Sequence, residues 1–158
     1  MELTVNQTKL VVSKQEARAA IQHLEDSLIS MWTEENDIFI GDSDFCPLKH
    51  HFTDGLYGRE IFLKKDTIAV GKLHKTDSFV FIMSGKAKIV TENGTKEVEG
   101  PCMFISEAGD KKAVHALTDL VWIDVYPNET NTKDLLVIED NVIAKNYIEY
   151  EEYKQLKN

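Results

Sequence analysis

Three runs of β-branched and aromatic residues dominate the middle of the chain, and polar corners separate them. The runs cover 57–63, 67–73 and 79–91. The corners lie at 65–66 and 74–77, and Gly85 interrupts the third run. An Asn-Gly pair at 93–94 then stands between two alternating runs, a strong β-hairpin signal because type I′ turns need positive φ angles. The pattern predicts several short strands joined by polar turns.

More short apolar runs follow the hairpin at regular spacing. They cover 95–99, 102–105, 111–117 and 120–126. Short strands at this spacing are typical of a closed or two-sheet all-β structure. We therefore expect a mainly β domain over 37–128, preceded by an arm and helix in 1–36. An extension with a short helix is expected in 129–158.

An amphipathic helix is predicted near the N-terminus, where Ser13 and Glu16 form a capping box. Apolar residues then recur at helical spacing. They are Ala17, Ala20, Ile21, Leu24, Leu28 and Met31. This pattern predicts a helix over 14–31 whose apolar stripe covers either the strand domain or the same helix of another subunit, so we expect a homo-oligomer. Residues 1–12 suit an arm or an added edge strand.

Composition and charge narrow the function classes. The chain has 158 residues, enough for one domain with a sizeable core. Its net charge of −9 argues against a DNA- or RNA-binding surface, although it leaves room for a local basic pocket. Cys46 and Cys102 fit no disulfide framework or zinc motif, which favours reduced thiols in the cytoplasm. Neither a signal peptide nor a long apolar run is visible, so no membrane association is expected.

Familiar catalytic motifs are missing from the sequence, including the Gly-x-Ser-x-Gly elbow, the phosphate-binding glycine loop and the His-Glu-x-x-His zinc motif. His50 and His51 are adjacent, and neighbouring side chains of an extended chain point to opposite faces. Only one of the two histidines can therefore face a given site. Glu60, Asp77 and Asp124 are candidates for a paired-carboxylate mechanism, but their spacing alone does not bring them together.

Two glycines anchor a resemblance to the cupins, whose small β-barrel carries two sequence motifs on adjacent hairpins. Gly85 aligns the first motif and Gly109 the second. The positions that hold metal in that family are occupied here by Lys72, His74, Ser78 and Lys112. The resemblance implies a single cupin-like barrel, a double-stranded β-helix or jelly roll. Because lysine repels a cation, no metal cofactor is predicted, and a bound divalent ion would need Asp77 or His115 as a second ligand.

Residues 45–126 also resemble a group of small cupin-like proteins common in bacteriophage and prophage genomes. The resemblance rests on Cys46-Pro47-Leu48-Lys49-His50, Phe52, Gly55, Tyr57, Arg59-Glu60-Ile61, Gly71-Lys72, His74-Lys75, Gly85, Glu92-x-Gly94, Pro101, Ala108-Gly109 and Trp122. In that group a proline often precedes the Ala-Gly pair, where this chain has Glu107. Some phage proteins of this size are sponges for the cyclic nucleotide signals of bacterial defence, so the resemblance implies a ligand of that kind.

A pocket for an anionic nucleotide needs cationic side chains for phosphate and an aromatic surface for a base. The chain offers both kinds of side chain on the predicted strands or at their ends. The candidate ligand-binding residues are Tyr57, Arg59, Lys72, His74, Lys75, Lys112, His115 and Trp122, with Lys111 beside them. Plainer roles stay open: the lysines can be solvated, Trp122 can be core, and Arg59 can pair with Asp77 or Asp124.

The preferred hypothesis is a non-enzymatic protein that binds a small anionic molecule such as a cyclic nucleotide, in the host cytoplasm if the chain is phage-encoded. One alternative is a metal-dependent cupin enzyme with a degenerate ligand set. The other is a structural or interaction subunit whose barrel is filled by its own side chains. An unfilled basic pocket would favour the binding protein over both.

Overall fold

The elements of the chain are known from a computed structural model that describes residues 12–31, 33 and 46–157. The helices in this part are α1 (Lys14–Ser30), α2 (Leu135–Val142) and α3 (Tyr147–Lys157). The strands are β1 (Leu48–Thr53), β2 (Gly55–Leu63), β3 (Ile68–Val70), β4 (Leu73–His74), β5 (Ser78–Ser84), β6 (Lys86–Thr91), β7 (Gly94–Glu99), β8 (Cys102–Ser106), β9 (Ala113–Ala116), β10 (Leu120–Asn128) and β11 (Ile143–Ala144). The predicted arm or edge strand in 1–12 lies outside the described residues except for Val12.

Two antiparallel sheets provide the core of the molecule. The larger has the strand order β1-β2-β10-β5-β8, and the smaller has the order β3-β9-β6-β7. Apolar side chains from both sheets pack together, and Val80, Ile82, Ile89 and Leu120 are at most 1% exposed. This arrangement confirms the predicted mainly β, two-sheet structure.

Strand β5 shows how the alternation of side chains builds one buried and one outer face. Val80 and Ile82 are buried, whereas Phe79 and Met83, which flank them on either side, are 49% and 53% exposed. Successive residues of a strand point to opposite faces of its sheet. The larger sheet therefore has an outer face that carries apolar side chains as well.

The predicted hairpin joins β6 and β7. Thr91 pairs with Gly94, so Glu92 and Asn93 are the two loop residues. Gly94 has a φ of 124°, and Asn93 is not among the described residues with positive φ. The hairpin prediction is thus confirmed, but the loop is centred one residue earlier than the type I′ turn predicted at Asn93-Gly94.

Helix α1 packs on the barrel of its own chain. It begins after Ser13, and the capping box between Ser13 and Glu16 is formed as predicted. Ile21 on its apolar stripe is 4% exposed, and Arg18 forms an ion pair with Glu92 at the β6–β7 loop. The apolar stripe of α1 was expected to cover either the strand domain or the same helix of another subunit, and in the structure it covers the strand domain. None of the helices in the described residues is both long and apolar enough to cross a bilayer.

The C-terminal elements are attached to the barrel at the corner that contains His74. Strand β11 pairs with β4, with Ile143 opposite His74. Tyr150 of α3 packs against Gly109, where an added Cβ would lie 2.8 Å from the tyrosine ring. This close approach requires glycine and fixes α3 against the loop that follows β8.

Candidate functional site

A cavity of about 580 Å³ lies inside the barrel. Strands of both sheets line it, α1 contributes Glu25 and Leu28, and α2 contributes Ile138 and Glu139. Most of the lining residues are apolar. The volume falls within the range of roughly 300–1,000 Å³ that is typical of small-molecule sites.

Strand register brings polar side chains to one end of this cavity. In the pairing of β2 with β10, Arg59 lies opposite Asp124 and Tyr57 lies opposite Tyr126. His50 of β1 is paired with Arg59 on its other side. Farther along the same two strands, the lining residues are the apolar Ile61, Leu63 and Trp122. The cavity therefore has a polar end, formed by the first set of residues, and an apolar end.

Arg59 is at the centre of the polar end. Its Nη2 donates to Asp124 Oδ2 at 3.3 Å and to Tyr126 Oη at 3.2 Å. Burial lowers the pKa of the guanidinium, but the neighbouring Tyr126 and Asp124 outweigh this effect and keep the pKa above its usual value. Arg59 Nε is buried and has no hydrogen-bond partner among the described residues. Arg59 is therefore charged, and one of its donors is not satisfied by the protein that the structure describes.

His74 is a buried and neutral imidazole beside Arg59. It is 4% exposed, its Nε2 is 3.2 Å from Tyr126 Oη, and its ring meets the tyrosine ring edge-on. Burial, with the nearby charges of Lys112 and Arg59, lowers its pKa to about 3. The Nδ1 atom has no partner among the described residues. At physiological pH, His74 thus offers a polar nitrogen without carrying a charge.

Lys112 brings a second cation to the cavity. It is 7% exposed, and its Nζ donates to the hydroxyl oxygen of Ser106. No ion pair between Lys112 and a carboxylate occurs in the described part of the chain. Burial lowers the pKa of the ammonium group, whereas the fields of Asp110 and Asp124 raise it. The protein thus buries a lysine and gives its ammonium a neutral partner only.

Six of the eight candidate ligand-binding residues line this cavity. They are Tyr57, Arg59, Lys72, His74, Lys112 and Trp122. Lys72 lies at the rim, where its half-exposed side chain forms an ion pair with Glu139 of α2. Trp122 is 6% exposed and packs edge-on against Phe104, so it belongs to the core as well as to the cavity wall.

Lys75 and His115 lie outside the cavity. Lys75 Nζ is 3.1 Å from Glu149 Oε1 of α3 and donates to a carbonyl oxygen of α2 at 2.8 Å. His115 is on β9, is 40% exposed, and has its Nε2 3.9 Å from Asp66 Oδ1. Each follows directly after a residue that lines the cavity, and the alternation of side chains turns it to the other face.

Other polar residues at the site complete the picture. His50 Nδ1 lies 2.7 Å from Tyr57 Oη, whereas His51 Nε2 lies 3.0 Å from Glu60 Oε2. Only His50 of the histidine pair lines the cavity, as the alternation predicts. Tyr126 was not among the candidates, although the same alternation along β10 places it on the inward face. The carboxylate partner of Arg59 is Asp124, one of the two that the sequence suggested.

Comparisons with known proteins concern the fold. No protein-family model and no curated protein matches the chain. Among solved structures, KdgF from Halomonas sp. is similar, with a TM-score of 0.50 and 14% identity over 66% of this chain and 96% of that one. The fold is a cupin jelly roll. An RmlC-like cupin from Shewanella frigidimarina has a TM-score of 0.48 and 12% identity, over 60% of this chain and 83% of its own. An RmlC-like cupin with a double-stranded β-helix fold from Methanocaldococcus jannaschii has a TM-score of 0.46 and 12% identity, over 56% of this chain and 84% of its own.

The cupin fold raises the question of a metal, and the residues at the expected positions do not suit one. Beside His74 stand two lysines, and the buried ammonium of Lys112 is close enough to lower the pKa of the imidazole. Across 12–31, 33 and 46–157, no group of three or more His, Cys, Asp or Glu side chains is arranged to share an ion. A divalent cation would meet one imidazole and like charge at this site. The donor set therefore does not fit the usual cupin metal.

Proposed function

We propose that this cupin barrel is a non-enzymatic binding protein that holds a small anionic molecule at the polar end of its cavity. The observation that carries the proposal is Lys112, which is buried and bonded to the neutral Ser106 hydroxyl, in the same cavity as the charged Arg59. Burial lowers the pKa of Lys112 more than the fields of Asp110 and Asp124 raise it, so its charged form carries an uncompensated cost of burial. An anion bound beside Lys112 would remove this cost.

The volume of the cavity supports a binding role over a purely structural one. A barrel filled by its own side chains would pack at crystal-like density and leave few voids larger than a water molecule. The space of about 580 Å³ instead has the size of a ligand site. Arg59 Nε and His74 Nδ1, which have no partner among the described residues, give a ligand two directional hydrogen-bonding positions.

The resemblance of residues 45–126 to phage proteins suggests which anions to test first. We propose cyclic nucleotides of bacterial defence as one such class, and the host cytoplasm as the setting. The rings of Tyr57, Tyr126 and Trp122 lie along the cavity and would offer surfaces on which a base could stack.

A thermal-shift screen tests the binding proposal. A ligand that binds only the folded state stabilises it by about 2.7 kcal/mol at 100 times its Kd. We expect at least one anion from a panel of cyclic nucleotides, carboxylates and phosphates to raise the Tm, and Lys112→Met to abolish that shift. Lys75→Met is the matched control, because Lys75 is a partly buried lysine that lies outside the cavity. A panel without any hit would contradict the proposal.

We also propose that the chain forms a homo-oligomer through the outer face of the larger sheet. Four side chains on β5 and β8 form an apolar strip there: Phe79, Met83, Met103 and Ile105, which are 49–58% exposed. Phe79 and Ile105 are directly paired across the two strands. Because α1 already covers the barrel of its own chain, this strip is a better site for self-association than the helix stripe.

A further inference from the structure

We infer that the ligand of the barrel is an amphipathic monocarboxylate, with its carboxylate at the polar end beside Lys112 and its apolar body along the apolar walls. The inference rests on the proposed function and narrows it from anions in general to one chemical class. It follows from the charge balance of the cavity and from the distribution of polar residues along it.

Lys112 is the cation lining the cavity that forms no ion pair in the described part of the chain. Three cation–carboxylate pairs are satisfied within the protein: Arg59 with Asp124, Lys72 with Glu139, and Lys111 with Glu25. His74 is neutral because its pKa is far below physiological pH. Lys112 remains, with the Ser106 hydroxyl as its partner. The fields of Asp110 and Asp124 reach Lys112, but neither carboxylate forms an ion pair with it. A single negative charge on the ligand therefore gives Lys112 a direct counter-ion, whereas a second one would find no further unpaired cation among the described cavity residues.

The polar atoms that a ligand could use are concentrated at one end. Arg59 Nε and His74 Nδ1 have no partner among the described residues. Lys112 reaches the same end, because its partner Ser106 is paired with Ser78 of β5, and Val80 on the same face of that strand is paired with Asp124. A carboxylate has two oxygens and about four acceptor positions, so one oxygen can accept from Lys112 Nζ while the other accepts from a neighbouring donor. A single planar anionic group thus satisfies this end of the cavity.

The rest of the wall is suited to hydrocarbon. Ile61, Leu63, Val114 and Trp122 line the cavity beyond the polar end. Leu28 of α1 extends the apolar lining on the helix side, whereas Ile138 and Val142 of α2 pack against Tyr57 and Tyr126 at the polar end. Burial of apolar ligand surface against such walls contributes roughly 25 cal/mol per Å². The sugars and second phosphate of a cyclic dinucleotide would not gain from these apolar walls, because their polar groups would lose their water without replacement.

Isothermal titration calorimetry with matched ligand pairs tests the inference. The probes are octanoate and 2-naphthoate, their neutral amides octanamide and 2-naphthamide, the dicarboxylate suberate, and the polar anions cyclic di-AMP and 3′,5′-cyclic AMP. We expect each monocarboxylate to bind about tenfold or more tightly than its amide, since a charge-assisted hydrogen bond contributes about 1.5–3 kcal/mol. Lys112→Met should remove this difference without preventing amide binding, and Lys75→Met should leave it unchanged.

The outcomes separate this inference from the proposed function. Equal affinity for acid and amide in the wild-type protein, or tighter binding of suberate than of octanoate, would overturn the monocarboxylate. Tight binding of either cyclic nucleotide with no binding of the carboxylates would also overturn it, while leaving the anion-binding function in place. Failure of every anion to bind would refute both. A circular dichroism spectrum and Tm close to wild type establish that each variant is folded.

Discussion

The buried pair of Arg59 and Asp124 gives the most direct test of how the polar end is built. Asp124→Asn keeps the size and most of the hydrogen-bonding capacity of the side chain, and removes only the negative charge. Arg59 would then be a cation held inside the barrel against a neutral amide. Because a guanidinium stays protonated in proteins, Arg59 cannot escape this cost by losing its proton.

The expected magnitude follows from burial. Removing one member of a buried ion pair destabilises a protein by about 3–5 kcal/mol, because the other charge is left without compensation. The Asp124 side chain is 5% exposed, but that of Arg59 is 21% exposed and keeps some contact with water. We therefore expect Asp124→Asn to lower the free energy of unfolding by about 3 kcal/mol, the lower end of that range.

Urea unfolding of four variants measures this effect. The variants are Asp124→Asn, Arg59→Met, the double variant Arg59→Met/Asp124→Leu, and Glu60→Gln as a control. Replacing both members of a buried pair by apolar groups is often close to neutral, so the double variant should be more stable than either single variant. Glu60 pairs with the exposed Lys49 on the outer face, so its loss should cost no more than about 1 kcal/mol. A cost below about 1 kcal/mol for Asp124→Asn would show that water in the cavity solvates Arg59. In that case the cations of the cavity would not need a carboxylate as counter-charge.

Three further predictions concern other parts of the molecule. In the unfolded state His74 binds a proton below about pH 6.5, whereas in the folded state, with a pKa of about 3, it does not. Between pH 7 and pH 5 the free energy of unfolding should therefore fall by about 2 kcal/mol more in the wild type than in His74→Gln, as measured by urea unfolding. Gly109→Ala should weaken the packing of α3, because a Cβ would meet Tyr150 at 2.8 Å and the φ of 86° disfavours alanine. We expect faster hydrogen exchange over 147–157, and unchanged protection there would contradict the role of Gly109 in holding α3. Met103→Glu on the outer strip should shift the mass measured by light scattering toward the monomer without changing the Tm of the barrel, whereas an unchanged mass would exclude this face as the contact.

The sequence predicted most of the fold because the signals that determine it are local. The helix over 14–31 and the Ser13–Glu16 box are local features, and the structure confirms them at Lys14–Ser30. The alternation of apolar residues likewise predicted the strands of a two-sheet barrel. Alternation also determines which of two neighbouring residues faces the cavity. Applied to every strand, it would have kept His74 as a candidate, excluded Lys75, and included Tyr126.

The remainder of the site depends on contacts between distant parts of the chain. Arg59 meets Asp124 because β2 and β10, which are 65 residues apart at this point, pair in one particular register. Neither side chain carries that information by itself, so Asp77 and Asp124 were equally good candidates for the partner of Arg59. The contribution of α2 to the cavity wall could likewise not be predicted from the sequence, because it depends on how the C-terminal segment folds back on β4.

The pairing of β11 with β4 has a consequence for protein synthesis. Strand β4 carries His74, but its partner is made some 70 residues later, at Ile143 and Ala144. Translation proceeds at about 5–20 residues per second, so β4 waits several seconds for its hydrogen-bonding partner while the chain grows. During that interval the corner with His74 is open to solvent. The cavity can thus be completed only after α2 and β11 have emerged from the ribosome. If the proposed function holds, a nascent chain halted before them should not yet bind an anion.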